Sequence, residues 1–293
     1  AFARLGWSAK PKGKDFIVRP PTVRRDITIE EDVIEEIARL FDYHNVPPQM
    51  PAATLIAPER NDERFWEEKT RDILTGLGYS ESELYEFCSA EELTLFGIDP
   101  SVAVELKNPA AADMQYLVPS LAMRFITSAA QNLRQRDTVK IFGIQKDFTG
   151  GKSGDITETK KLVIIHAAPD TDGATFYTLK GTVNALMEGM GLVDQAYRED
   201  VPLAFVHPRR GARIIHDDAD KGITDFGTIG ELHPQLAEKL KVRGRLVFAA
   251  IDFTEFARRA HREAEYRPIG KYPAITRDIA VVVPRDTRTQ SVE

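Results

Sequence analysis

The chain has 293 residues, 42% hydrophobic and 29% charged, with a formal net charge of −6. That is enough chain for one large domain or two modest ones with a real core, and the acidic balance argues against a nucleic-acid binder. A single cysteine, Cys88, rules out a disulfide within the chain and fits a reducing cytoplasm, and no signal peptide or apolar run of membrane-spanning length occurs.

Charge is unevenly spread. Residues 1–30 hold seven Lys and Arg against three acids, and residues 256–277 hold six against two. Such clusters read as solvated charge or as phosphate contacts. In chain order, DFIVR at 15–19 alternates as a strand and ends at Pro20-Pro21. Thr28 then opens a helix, where Thr28 and Glu31 have the spacing of a capping box. Val33, Ile34, Ile37, Leu40 and Phe41 form its apolar face, and the helix stops before HNVPP. Residues 47–60 are proline-rich and read as a linker. A second helix fits Asp62 to Leu77, buried along Trp66, Ile73, Leu74 and Leu77 and ended by Gly78.

A helix also fits 120–134, and others fit 177–190 and 233–240. Strands fit 138–144, 161–167, 212–216, 224–230 and 245–252. Their order predicts an α+β fold, an antiparallel sheet with packed helices. The run IAVVVP at 279–284 reads as one further strand. A lone strand cannot be stable, and the chain opens without methionine, so it reads as a piece of a longer polypeptide.

The first helix raises a charge question. Successive residues turn by about 100°, so Glu35, Asp32 and Glu36 share an arc of roughly 100° away from the apolar face. Asp26 lies just before the cap and reaches the same turns. Like charges four apart cost a few tenths of a kcal/mol. The helix dipole offsets this for Glu30 and Glu31 in the first turn, but not for Glu35 and Glu36. Two readings remain open on geometry: a solvated acidic face, or a site for a hard divalent cation such as Mg²⁺.

The whole run VRPPTVRRDITIEEDVIEEIARLFDYHNVPPQMP resembles a signature of the bacterial phenylalanyl-tRNA synthetase β subunit. It carries Arg24, Asp26, Ile27, Asp32, Glu35, Glu36, Arg39, Tyr43, Asn45 and Pro47 in the family's order, with Asp42 in place of the usual glycine. LKNPAAADMQYLVPSL, TFYTLKGTVNALMEGMG, HPRRGARI, GELHP and KYPAITRDIAVVVP are similar to later segments of that family. The resemblance implies residues 1–50 as the end of a small winged-helix-like α+β domain. Residues 51–268 would be a class II synthetase-like module, and residues 269–293 the start of a ferredoxin-like anticodon-binding domain. It further implies that Asp26, Asp32, Glu35 and Glu36 hold a Mg²⁺ ion shared with an α subunit. The holoenzyme would be a heterotetramer of two α and two β chains that uses ATP and binds tRNA(Phe).

A class II active site needs an arginine on the α-phosphate and a glycine-rich element with an arginine near the γ-phosphate. LRQRDTVKIFGIQ at 133–145 has the outline of the first, but Gly143 stands where an acidic partner is expected. No GxGxGxxR-like string occurs, and GKSGD at 151–155 and GEL at 230–232 read as turns. The resemblance therefore implies a non-catalytic module with an arginine-poor cleft. His207 and His233 read as turn hydrogen bonding, Cys88 as core, and Phe176, Tyr177 and Leu179 as core. The alternatives are a free-standing metal hydrolase built on the four acids, and an interaction scaffold without metal.

Overall fold

A computed structural model of the chain describes all residues except 53, 55, 151–154, 171, 194, 199–200, 202, 219–221, 263–271, 273–274, 285–286 and 288–293. It divides into two units, Ala1–Glu59 and Arg60–Glu293.

In the smaller unit, β1 (Ser8–Lys12) and β2 (Asp15–Arg19) pair as an antiparallel hairpin around Gly13, and α1 spans Glu30–Phe41. The hairpin needs Gly13, whose φ of 66° is left-handed. The start of α1 differs from the expected box. Asp32, not Glu31, reaches back, and its Oδ2 accepts the N–H of Thr28 at 2.7 Å and of Ile29 at 3.0 Å. The side of α1 that is buried also differs. Ile34 is 55% exposed and Phe41 60%, while Glu36 is the buried residue of the helix. Among the described residues, Trp7 is the only buried hydrophobic of this unit, so no apolar core draws Ile34 and Phe41 inward.

The larger unit opens with α2 (Asp62–Gly76), whose start is capped by Asn61 accepting the Arg64 N–H at 3.0 Å. Trp66, Thr70 and Leu74 are buried, whereas Leu77 lies past the helix end and is exposed, contrary to expectation. Short elements follow: β3 (Ser80–Glu81), β4 (Phe87–Cys88), α3 (Ala90–Leu95), β5 (Val104–Glu105) and β6 (Tyr116–Leu117). Then come α4 (Leu121–Asn132), β7 (Val139–Gly150), β8 (Ile156–Ala168), α5 (Ala174–Gly189), β9 (Gln195–Arg198), β10 (Val206–Asp218), β11 (Gly222–Leu232), α6 (Pro234–Lys239), β12 (Arg245–Asp252) and α7 (Phe253–Arg259).

Seven strands form one sheet in the order β3-β7-β8-β12-β11-β10-β9. Every pairing is antiparallel except the edge pair β3–β7, which is parallel. β4, β6 and β5 make a small separate sheet. Helices cover both faces of the large sheet, and period-2 alternation feeds both cores. Leu162, Ile164, Val247, Ala249 and Ile251 meet α2, α5 and α7. Val163, Ile165, Ala167, Leu246 and Phe248 meet α3, α4 and α6. This is the expected α+β class. GEL at 230–232 corrects one reading: it lies inside β11, fully paired, rather than in a turn. Of GKSGD, residues 151–154 lie outside the described residues. Residues 279–284 form no strand, and none of the described residues pairs with them.

Candidate functional site

In the smaller unit, the four acids named from the sequence are drawn to different partners. Arg24 is the hub. Its Nη2 donates to Asp26 Oδ2 at 2.6 Å and to Glu36 Oε1 at 2.8 Å, and its guanidinium lies 5.7 Å from the Trp7 ring centroid. Arg39, three residues beyond Glu36, donates to Glu36 Oε2 at 2.5 Å. Those bonds hold the Glu36 carboxyl below its usual range, and the Arg24 bond does the same for Asp26. The amides of Thr28 and Ile29 lower Asp32 in the same way. Glu35 is exposed.

The donor chemistry, all carboxylate, suits a hard divalent cation. The placement does not fit one. Arg24 stands between Asp26 and Glu36, and Asp32 faces backbone amides. Among the described residues, no three His, Cys, Asp or Glu side chains converge as metal ligands. Arg24 was named in the sequence as part of the signature, but not as the partner of Asp26 and Glu36. Its signal in the sequence is its position two residues before Asp26.

In the larger unit, Gly143 lies in mid-β7. A Cβ there would run into the Phe125 ring of α4 and the Ser82 carbonyl. Phe125 is fully buried. No side chain can enter this position, so its lack of chemistry is built into the packing. Four residues on, Asp147 accepts the Leu121 N–H at the start of α4. Burial pushes its carboxyl up to about 7, opposed by that N–H and by Lys161, and aided by Asp252 and Glu86.

A separate cleft of about 400 Å³ opens beside α5, β9 and β10. Lys180, Arg209, Arg210 and Arg245 line it, against Asp172 and Glu231. Glu231 is nearly buried and bridges Arg210 at 3.0 Å and Arg245 at 2.9 Å. Behind it Asp170 organises the start of α5. Burial raises its pKa, but N–H donors from Thr175 and Gly173 at 2.8 Å win and hold it below the usual carboxylate range. Phe176 and Tyr177 also line the cleft. Leu179 is core as expected, but Tyr177 is 70% exposed and Phe176 only partly buried. The consecutive arginines of HPRR were the signal in the sequence, and only α5 packing reveals what they face.

The remaining candidates are structural. His207 Nδ1 accepts the Arg209 N–H at 3.1 Å, and His233 Nδ1 accepts the Gln235 N–H at 3.2 Å, which are the turn bonds expected. Cys88 is fully buried, and burial with nearby Glu92 pushes its thiol up to about 11, against Arg124. No helix of the described residues is long and apolar enough to cross a membrane.

Comparison with known proteins adds a family. A sequence profile described as the phenylalanyl tRNA synthetase beta chain CLM domain matches residues 46–253, and one described as the tRNA synthetase B5 domain matches residues 1–43. A phenylalanine–tRNA ligase beta subunit from Bacillus licheniformis is 31% identical over 306 residues, spanning 100% of this chain and 37% of that protein. Its counterpart in Vibrio vulnificus is 31% identical over 294 residues, spanning 96% of this chain and 36% of that protein. The chain thus spans little more than a third of the length of these curated relatives. Among solved structures, a pyrrolysyl-tRNA synthetase from Desulfitobacterium hafniense superimposes with a TM-score of 0.52 at 15% identity, over 77% of this chain and 75% of that one. That likeness concerns the fold.

Proposed function

The chain belongs to the phenylalanyl-tRNA synthetase β-chain family, and from that premise we propose that it is a non-catalytic part of the phenylalanine–tRNA ligase, supporting an α subunit that carries out the reaction. The observation that carries the proposal is Gly143. The sheet has a class II likeness, yet the position expected to hold an acidic group is filled by the Phe125 ring. A transition state for adenylate formation needs preorganised charge at that site, and a buried phenyl ring provides none. The proposed assembly is a heterotetramer of two α and two β chains, with ATP handled by α and tRNA(Phe) bound by the whole enzyme, in the cytoplasm.

The test has two readouts. The chain should co-purify with its cognate α subunit through gel filtration, and amino-acid-dependent ATP–pyrophosphate exchange by the chain alone should stay at background. Separate elution of the two proteins, or exchange by this chain alone, would overturn the reading.

Asp26, Asp32, Glu35 and Glu36 enter the proposal as this chain's share of a Mg²⁺ site completed by α. Its support is the signature they stand in and their all-oxygen donor set. With Arg24 between Asp26 and Glu36, the ion and the guanidinium exclude each other. Mg²⁺ at millimolar concentration should therefore leave the melting temperature of the isolated chain unchanged. Arg24→Ala should make it rise with Mg²⁺. With the cognate α subunit bound, Asp32→Asn with Glu36→Gln should abolish the Mg²⁺ dependence of the complex's melting temperature, and a double variant as responsive to Mg²⁺ as the parent complex would remove these acids from the site.

A further inference from the structure

The charge balance of the cleft beside α5 leaves two cations over. Glu231 is shared by Arg210 and Arg245, and Arg245 also lies 3.8 Å from the Asp170 carboxylate, so two carboxylates face those two arginines. Arg209 has no carboxylate partner among the described residues. Lys180 has no carboxylate partner there either, and its ammonium lies 4.5 Å from the Tyr197 ring centroid. Asp172, the opposing carboxylate, sits at the rim and accepts the Ala174 N–H at 3.1 Å.

The aromatic lining is as uneven as the charge. Tyr177 is mostly exposed, and Phe176 beside it packs edge-to-face at 5.9 Å between centroids. Tyr197 also lines the cleft, its hydroxyl donating to Asn184 and its ring face lying toward Lys180. Gly211 and Ala212 of β10 also line the cleft, with almost no side chain. Exposed aromatic rings held in place around two spare cations are poorly used by water alone. Ring faces accept a planar π-system, and a guanidinium with an ammonium matches a doubly charged phosphate. The volume, about 400 Å³, lies in the range of small-molecule pockets, roughly 300–1,000 Å³.

We propose that this cleft binds a planar aromatic ring carrying a phosphate monoester, the chemistry of a free nucleoside monophosphate, with Arg209 and Lys180 on the phosphate and Tyr177 and Phe176 against the ring. The site is separate from the Gly143 position and requires no chemistry to be performed on the ligand.

Isothermal titration of the full chain with 5′-AMP tests it. Saturable binding is expected at sub-millimolar concentration. Arg209→Ala should weaken it about tenfold or more, the effect of losing a charged hydrogen bond. Tyr177→Ala should weaken it about fivefold or more, as loss of a stacking face does. Arg136→Ala, outside the cleft, should leave it unchanged. Both cleft residues are exposed, and circular dichroism checks that the variants fold; Arg209→Lys, which keeps the charge but loses the fork, gives a second measure. Adenosine and inorganic phosphate should each bind at least tenfold more weakly than 5′-AMP. Absence of saturable AMP binding, indifference to Arg209→Ala, or phosphate binding as tightly as AMP would overturn the proposal. So would a 5′-phosphorylated RNA hexamer that binds more than tenfold tighter than AMP, since that would mark an RNA site.

Discussion

Gly227→Ala is expected to unfold the larger unit under conditions where the parent chain is stable. Gly227 sits in β11 between β10 and β12, paired with Ile214 on one side and Ile251 on the other. The register slips beside it: Ile214 pairs with Gly227 but Ile215 with Asp225, leaving Phe226 as the extra residue of a bulge. The bulge gives Gly227 a φ of 139°, a region nearly closed to residues with a side chain. A Cβ there would overlap the Ala250 carbonyl, which is sheet backbone with no freedom to withdraw. Strain and lost pairing together should cost more than about 4 kcal/mol. Gly181→Ala is the matched control. Gly181 lies inside α5 with open space around it, so alanine there should stabilise by up to about 1 kcal/mol. Urea denaturation of both variants checks the pair. A Gly227→Ala chain within about 1 kcal/mol of the parent would show that the bulge does not hold this backbone.

The second large effect is a pH dependence from Asp147. In the unfolded chain its carboxyl titrates near 3.8, and in the folded chain near 7. Between those values the folded state keeps a proton that the unfolded state has released. Stability from this group is therefore fully present below about pH 4 and is lost as pH rises through about 7. At about 1.4 kcal/mol per unit, the loss is on the order of 2–4 kcal/mol by pH 8. Asp147→Asn keeps an oxygen to accept the Leu121 N–H and carries no charge. Parent and variant should match near pH 4, and the variant should be the more stable by those few kcal/mol at pH 8. His166 works in the opposite sense. Burial, with Lys140 nearby, lowers it to about 4 against the pull of Asp170, so it costs stability as pH falls below about 6.5. It is present in both proteins and cancels in the difference. A variant-minus-parent difference that stays flat from pH 4 to pH 8 would show that Asp147 titrates normally.

Regular periodicity made much of the larger unit legible. The Val/Ile run at 161–167 and the alternation at 245–252 belong to neighbouring strands, and the pattern at 120–134 holds the helix Leu121–Asn132, because each pattern sits within one element. The short pieces between Ser80 and Leu117 were not legible. Strands of two residues carry no measurable period, and their pairing depends on partners about thirty residues apart, as with Phe87 and Leu117. In the smaller unit the helix was readable but its buried side was not. An apolar stripe predicts the inward face only where a core exists to receive it, and here Arg24, twelve residues away, draws Glu36 inward instead.

By itself the sequence determined the types of the long helices and strands, the α+β class, the grouping of Asp26, Asp32, Glu35 and Glu36 on one short stretch, and the signature that pointed to the family. Only the tertiary structure decided which charges those acids meet, that the Phe125 ring fills the space beside Gly143, and that Arg209, Lys180 and Tyr177 share a cleft. The division has a physical cause. Helix and strand periods are set by neighbours along the chain, whereas ion pairs, cavities and steric exclusion are set by groups brought together through space, at separations that no local pattern encodes.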